Sequence, residues 1–289
     1  VQKSEILKKI RKIEIRTRGL SRHIFAGRYH SAFKGKGMMF SEVREYQYGD
    51  PIRDIDWNVT ARFNHPYVKV FEEERELTVM ILADVSGSQN FGSFAAMKRD
   101  IVTEIAALLS FSAIQNNDKV GVIFFSDRVE KFIPPKKGRT HILRIISELL
   151  TFQPQGRGTN IAKVLEYFSG AVKKRSTAFL ISDFNDKGYE QSMMIANNKH
   201  DLVAIKVVDN VERKLPDVGL IRMLDAETGK EFWLDTSIKR NQNLYEQWRN
   251  ENEQYFNSAV RRSGVDNVEV QTDRDYVQPL VNLFRKREA

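Results

Sequence analysis

The chain has 289 residues, 41% of them hydrophobic, enough for one large α/β domain or for a medium domain with an appendage. It contains no cysteine, which excludes disulfides, thiolate metal sites and cysteine nucleophiles and fits a reducing compartment. The formal net charge of +8 resides in an amino-terminal arm: residues 1–36 hold eleven Lys and Arg against only Glu5 and Glu14, and the remainder is close to neutral.

No apolar run approaches the roughly 18 residues of a membrane span, and Val1-Gln2-Lys3-Ser4-Glu5 does not open a signal peptide. The expected address is the cytoplasm, and the start on Val rather than Met points to a trimmed chain.

Within the arm, Ile6, Leu7, Ile10 and Ile13 fall at helical spacing and Gly19 can end the helix. This is an amphipathic helix with a positive face. We read it as a docking helix whose apolar stripe packs on the main domain, the alternatives being contact with a phosphate backbone or an anionic partner surface. Residues 37–76 are dense in charge and aromatics, running through Phe40–Tyr46, Gly49–Trp57 and Ala61-Arg62 to a predicted strand at Tyr67–Phe71. Such density implies a network in which Arg44, Arg53 and Arg62 bridge Glu45, Asp50, Asp54 and Asp56 while Trp57 anchors to the main domain. The alternative is a carboxylate pair doing acid-base work.

From Leu77 the pattern becomes that of an alternating α/β fold. Leu77–Ala83 is a β-rich apolar run, followed by Asp84-Val85-Ser86-Gly87-Ser88 and a helix over Phe94–Gln115. Strands are predicted at Lys119–Phe125 and, as an edge partner stopped by Pro134-Pro135, at Val129–Pro134. Helices over Arg139–Phe152 and Asn160–Lys174 flank the turn Gly156-Arg157-Gly158-Thr159-Asn160. A uniformly apolar strand, Thr177–Ser182, leads to Asp183, then a helix near Gln191–Lys199 and a strand at Leu202–Val208. Beyond Asp209, Val218–Leu224 and Lys230–Leu234 read as a hairpin inserted near 217–235. A polar helix over Ile238–Arg262 ends at Gly264, and a strand at Val268–Val270 and a helix over Tyr276–Phe284 close the chain. The implied organisation is an amino-terminal helical and β appendage at 1–76 and a doubly wound, mostly parallel α/β domain of Rossmann type at 77–289.

In an open α/β sheet, ligands bind outside the carboxyl ends of the strands, where this chain puts a carboxylate and two hydroxyls in one turn. Such oxygens suit Mg²⁺ or Mn²⁺, which take about six of them in near-octahedral array and usually keep several waters. Asp84, Ser86 and Ser88 fill only part of that shell. Thr159 and Asp183, at two later element junctions, are the candidates to extend it.

Asp84, Ser86, Ser88, Thr159 and Asp183 together match the metal-ion-dependent adhesion site of the von Willebrand factor A-like fold, so this part of the chain resembles that superfamily. The stretch from Gly37 to Arg62, with its F-x-E-V-R-E-Y, G-D-x-x-R-x-I-D-W and A-R segments, followed by D-x-S-x-S, is similar to domain-of-unknown-function family number fifty-eight over essentially the whole chain. That family is similar to proteins associated with MoxR-type AAA+ ATPases, which act like chaperones, and some of its resemblances lie with aerotolerance-associated operons. The resemblance implies a non-catalytic adaptor that presents a metal-dependent docking face to an acidic residue of the ATPase or its client, in complex assembly or stress tolerance. Asn160 stands where A-like domains often have Asp.

Enzymatic alternatives are less well supported by the residues. A Mg²⁺-dependent phosphohydrolase of haloacid-dehalogenase type would carry a second acid two positions after Asp84, where this chain has Ser86. Ser86 lies outside a G-x-S-x-G elbow, and His23, His30, His65, His141 and His200 form no pattern that suggests a base. No Walker A motif is present, so ATP chemistry belongs to a partner. Nucleic-acid binding rests on the basic arm alone, which lacks interleaved aromatics.

Overall fold

The computed structural model describes residues 8, 10–15, 17, 38–73, 77–90, 97–225 and 229–288. It divides into two compact units, residues 33–77 and a larger one that combines 1–32 with 78–289.

The small unit is built on strands β1 (Met38–Glu45) and β2 (Tyr67–Glu73), paired antiparallel with an irregularity between Phe40 and Glu42. β1 lies where the sequence showed only charge density, because Met38-Met39-Phe40-Ser41-Glu42-Val43-Arg44-Glu45 has no sustained alternation of apolar and polar residues. Between the strands sits a short helix, α1 (Trp57–Phe63). Asp56 caps it, accepting from the backbone N–H groups of Asn58 and Val59 at 3.0 and 3.2 Å, and Asn64 ends it in the left-handed region at φ 56°. The expected charge network is present in part. Arg44 grips both oxygens of Asp50 at 2.8 Å, Lys69 stands 3.5 Å from Asp56, and Arg53 lies 3.8 Å from Asp54. Trp57, on α1, is 66% exposed. The Arg44 hydrogen bonds lower the pKa of Asp50, and the backbone N–H of Val59 does the same for Asp56. Carboxylates held ionised in this way are poor proton donors, which speaks against the acid-base alternative.

The large unit is a six-stranded sheet in the order β10-β7-β6-β3-β4-β5. Its strands are β3 (Thr78–Asp84), β4 (Lys119–Phe125), β5 (Val129–Lys136), β6 (Thr177–Ser182), β7 (Asp201–Val208) and β10 (Asp266–Gln271), all parallel to their neighbours except β5. This is the doubly wound, mostly parallel class the sequence implied. A buried strand covered on both faces needs apolar residues at every position, and β3, β4 and β6 supply them. One face, with Met80, Leu82, Ile123 and Leu180, packs on helices α4 (Ile161–Ala171), α5 (Glu190–Lys199) and α6 (Lys239–Ser263) through Leu165, Phe168, Met193, Phe256 and Val260. The other is covered by α2 (Lys98–Gln115), apolar nearly all round and packed in turn on α3 (Arg139–Thr151). Helix α6 ends at Gly264, whose φ of 64° a residue with a Cβ rarely adopts. Helix α7 (Val277–Glu288) closes the chain against β10.

One sequence expectation needs adjustment. Pairing of β5 with β4 does not stop at Pro134-Pro135 but runs on to Lys136 opposite Val120, with a register shift opposite Gly121. An edge strand can carry prolines because one side of its backbone is unpaired, and a Cβ on Gly121 would meet the Pro135 nitrogen at 2.9 Å. The predicted helix start at Phe94 lies outside the described residues. The inserted hairpin forms as β8 (Leu220–Leu224) and β9 (Glu231–Asp235).

The amino-terminal arm is helical at residues 10–15, with Ile10 and Ile13 buried and Arg11, Lys12 and Ile15 exposed. Glu14 pairs with Arg139 on α3. Both features fit a docking helix. Ile6, Leu7 and Gly19 lie outside the described residues.

Candidate functional site

The chain reverses its direction of growth across the sheet between β3 and β6: from β3 it builds outward to β4 and β5, then returns to the other side of β3. Ala83 is in register with Ile181 and Asp84 with Phe125, so Asp84 and Asp183 emerge from the carboxyl ends of adjacent strands at this switch point.

Asp84 is buried and its oxygens are aimed by two neighbours. Oδ1 accepts the Ser86 backbone N–H at 2.9 Å, and Oδ2 accepts the Ser182 hydroxyl at 2.5 Å. Ser86 and Ser88 share a hydrogen bond between their hydroxyls at 3.0 Å. The glycine-rich loop reaches this turn through Arg157, whose carbonyl accepts from Gly87 at 2.9 Å, and the Asn160 N–H bonds to the Ser126 carbonyl. Glu130 steadies the start of the loop, accepting from Ser126 Oγ, Gly156 N and Gln155 N. The loop packs closely at Gly156, where a Cβ would lie 1.9 Å from Asp127 Oδ1 and 2.4 Å from Ser126 Oγ and would require those side chains to move. Asn160 then caps α4 by accepting from Lys163 N at 2.9 Å. The residue that differs from the A-like pattern thus has a helix-capping role here.

Two observations bear on a metal. The Thr159 hydroxyl is buried with no hydrogen-bond partner, although a buried hydroxyl ordinarily finds one. Burial, reinforced by the neighbouring negative charge of Asp183, pushes the pKa of Asp84 up to about 7. An oxygen-only set with two buried, mutually repelling carboxylates and a spare hydroxyl has the chemistry of a hard divalent cation site. Among the described residues no three His, Cys, Asp or Glu side chains converge, so such a set depends on its hydroxyls.

The structure also shows partners that the motif did not. Asp183 is held by Lys98, which is fully buried at the first turn of α2, its Nζ 3.1 Å from Asp183 Oδ2 and 2.6 Å from Glu212 Oε1. Burial works against the Lys98 charge, but the two carboxylates outweigh it and hold the ammonium above its ordinary range. Glu212 comes from a single turn at Asn210–Arg213 closed by a capping box with Asp209. Asp209-x-x-Glu212 was the sequence signal for that turn, whereas no local sequence signal marks Lys98. Gln89 is buried with neither end of its amide satisfied.

The doubly wound sheet, parallel but for its edge strand β5, defines the fold class. The chain belongs to the family described as "Protein of unknown function DUF58", whose model matches residues 42–255. It is 26% identical over 283 residues to uncharacterized proteins of Mycobacterium bovis and Mycobacterium tuberculosis, covering 96% of this chain and 88% of each of theirs. In fold it is similar to an aerotolerance-related membrane protein from Bacteroides fragilis, with a TM-score of 0.50 and 14% identity, covering 73% of this chain and 98% of that one. Among the described residues of this chain no helix is long and apolar enough to cross a membrane.

Proposed function

We propose that this protein is a non-catalytic adaptor that binds a partner protein through a divalent cation, Mg²⁺ or Mn²⁺, held by Asp84, Ser86, Ser88, Thr159 and Asp183. The observation that carries the reading is the buried, unpartnered hydroxyl of Thr159, on a loop tied to the Asp84 turn at the switch point. In it, Asp84 and Asp183 supply the negative charge, and the three hydroxyls supply neutral donors. An ion so held offers a Lewis-acid position to an Asp or Glu of the partner. Ser182 and the Ser86 N–H fix the Asp84 carboxylate, and Lys98 holds Asp183 through a hydrogen bond to its Oδ2, so that both are in place before the partner arrives. The family resemblance nominates a MoxR-type AAA+ ATPase, or its client, as that partner. The non-enzymatic reading draws on the position of Ser86, which bonds to Ser88 where a phosphohydrolase would carry its second acid.

The test is thermal unfolding with Mg²⁺ or Mn²⁺ on the native chain and on Asp183→Ala. Ion at a hundredfold over Kd adds about 2.7 kcal/mol, roughly 5–10 °C for a domain of this size. We expect the rise in the native chain and its loss in the variant. A flat response of the native chain to both ions would refute the metal reading. For the partner, a purified MoxR-type ATPase should be retained by the native chain in Mg²⁺ but not in EDTA, and not by Asp84→Ala.

A further inference from the structure

A concavity opens beside Asp183, between the carboxyl ends of β6, β7 and β10 and the side of α6. Its volume is about 310 Å³, room for one or two side chains, and its wall includes Asp183, Asn185, Tyr245, Trp248, Arg249 and Asn252. The other charges around it are occupied. Lys206 pairs with Glu253, Arg213 with Glu269, and Glu212 with Lys98. Asp209 accepts from Thr272 Oγ1 and from the backbone of Val211.

Arg249 is different. Among the described residues no carboxylate pairs with it, and its Nε is buried with no acceptor. A guanidinium is a planar fork of donors that matches a carboxylate two-to-two, and it remains charged at any working pH. One turn earlier on α6, Tyr245 spends its hydroxyl on the Glu212 carbonyl and stacks obliquely on Trp248 at 5.7 Å between ring centroids. Trp248 is 46% exposed. The cavity therefore combines one unpaired cation with an aromatic wall on a rigid helix, and it shares Asp183 with the candidate metal cluster.

We infer that this cavity is a receptor for a carboxylate of an acidic peptide segment, Arg249 taking the carboxylate and Trp248 covering the aliphatic part of the side chain. The inference rests on the adaptor reading to the extent that the same segment places a neighbouring acid at the metal cluster. It specifies the partner as a segment with clustered acids rather than a lone Asp or Glu.

The test follows the indole N–H signals of Trp57, Trp233 and Trp248 by NMR in the full chain, with Trp248→Phe assigning the third. The probes are an acetylated, amidated tetraglutamate peptide, its tetraglutamine counterpart, and tetraglutamine with a free terminal carboxylate, each in Mg²⁺. Tetraglutamate should shift the Trp248 signal, tetraglutamine should not, and Arg249→Gln should weaken binding at least tenfold while its Mg²⁺-dependent rise in Tm stays native. Arg249→Lys, which keeps the charge but loses the fork, should fall between, and its native melting serves as a check if the Gln variant is poorly folded. A response to the free terminal carboxylate alone, still lost in Arg249→Gln, would support the receptor and assign it to a chain end. Equal binding by Arg249→Gln, or equal binding of amidated tetraglutamine, would overturn the proposal. If the native chain shows no Mg²⁺ response and yet binds tetraglutamate through Arg249, the receptor stands and the metal reading falls.

Discussion

The Nζ of Lys98 lies 3.1 Å from Oδ2 of Asp183, although 85 residues separate them and the lysine begins a helix whose dipole disfavours a cation there. The contact joins α2 to the carboxyl end of β6 and, through Glu212, to the turn after β7. Lys98 is thus the counter-ion of the candidate site. Removing one member of a buried charged group leaves the others uncompensated, at a cost of about 3–5 kcal/mol. Lys98→Met should lose stability on that scale in urea unfolding without divalent ions. Saturating Mg²⁺ should restore more stability to the variant than it adds to the native chain, because a cation at the cluster offsets the lost ammonium.

Asp84 provides a pH signature of the opposite sign from an ordinary surface carboxylate. Burial and the charge of Asp183 raise its pKa to about 7 in the fold, against about 3.9 in the unfolded chain. The folded state therefore holds the proton more tightly, and stability falls as pH rises from about 4 to about 7, then levels off. A divalent ion competes with that proton, so the Mg²⁺-dependent rise in Tm should be larger at pH 8 than at pH 5.5. Asp84→Asn should flatten the slope seen in EDTA and abolish the response to Mg²⁺. A native chain with the same Mg²⁺ response at both pH values would contradict the assignment.

His200 acts in the opposite direction and away from the site. It is fully buried, stacks on Phe168 at 4.3 Å and shares a hydrogen bond with Ser176 through Nδ1. Burial, with Lys199 and Arg175 nearby, lowers its pKa to about 4. The unfolded chain binds that proton near pH 6.5, so stability present above pH 6.5 is lost as pH falls toward 4, on the order of 3 kcal/mol. His200→Gln should be less stable than the native chain at pH 7.5 but lose less between pH 6.5 and 4.5 by urea unfolding.

Much of the large unit was legible in the sequence because its signals are local. β4 and β6 are apolar runs bounded by polar turns, and they form over the expected residues, Lys119–Phe125 and Thr177–Ser182. Gly264 marked the end of α6 in the same way. The D-x-S-x-S turn was legible as a motif, and Thr159 and Asp183 followed from element junctions. What surrounds them was not. Lys98, Glu212 and Arg249 matter through contacts between residues far apart in the chain, and nothing in the neighbours of Lys98 says that its ammonium will be buried against β6. β1 was missed because a two-stranded pair rich in charge lacks the apolar alternation that announces a strand.

Thr159 allows the sharpest test, since its two possible roles predict changes of opposite sign. Its hydroxyl is buried and unpartnered, and valine has nearly the same shape without the polar atom. If the hydroxyl only fills space, Thr159→Val removes an unsatisfied group and stabilises the chain by roughly 1 kcal/mol with or without divalent ions. If it is kept to ligate an ion, the same substitution stabilises the chain in EDTA yet diminishes the gain that Mg²⁺ provides. We expect the melting curves of the native chain and the variant to cross over in this way, with the variant ahead in EDTA and behind in saturating Mg²⁺. A variant that stays ahead under both conditions would assign Thr159 to packing and remove it from the metal set.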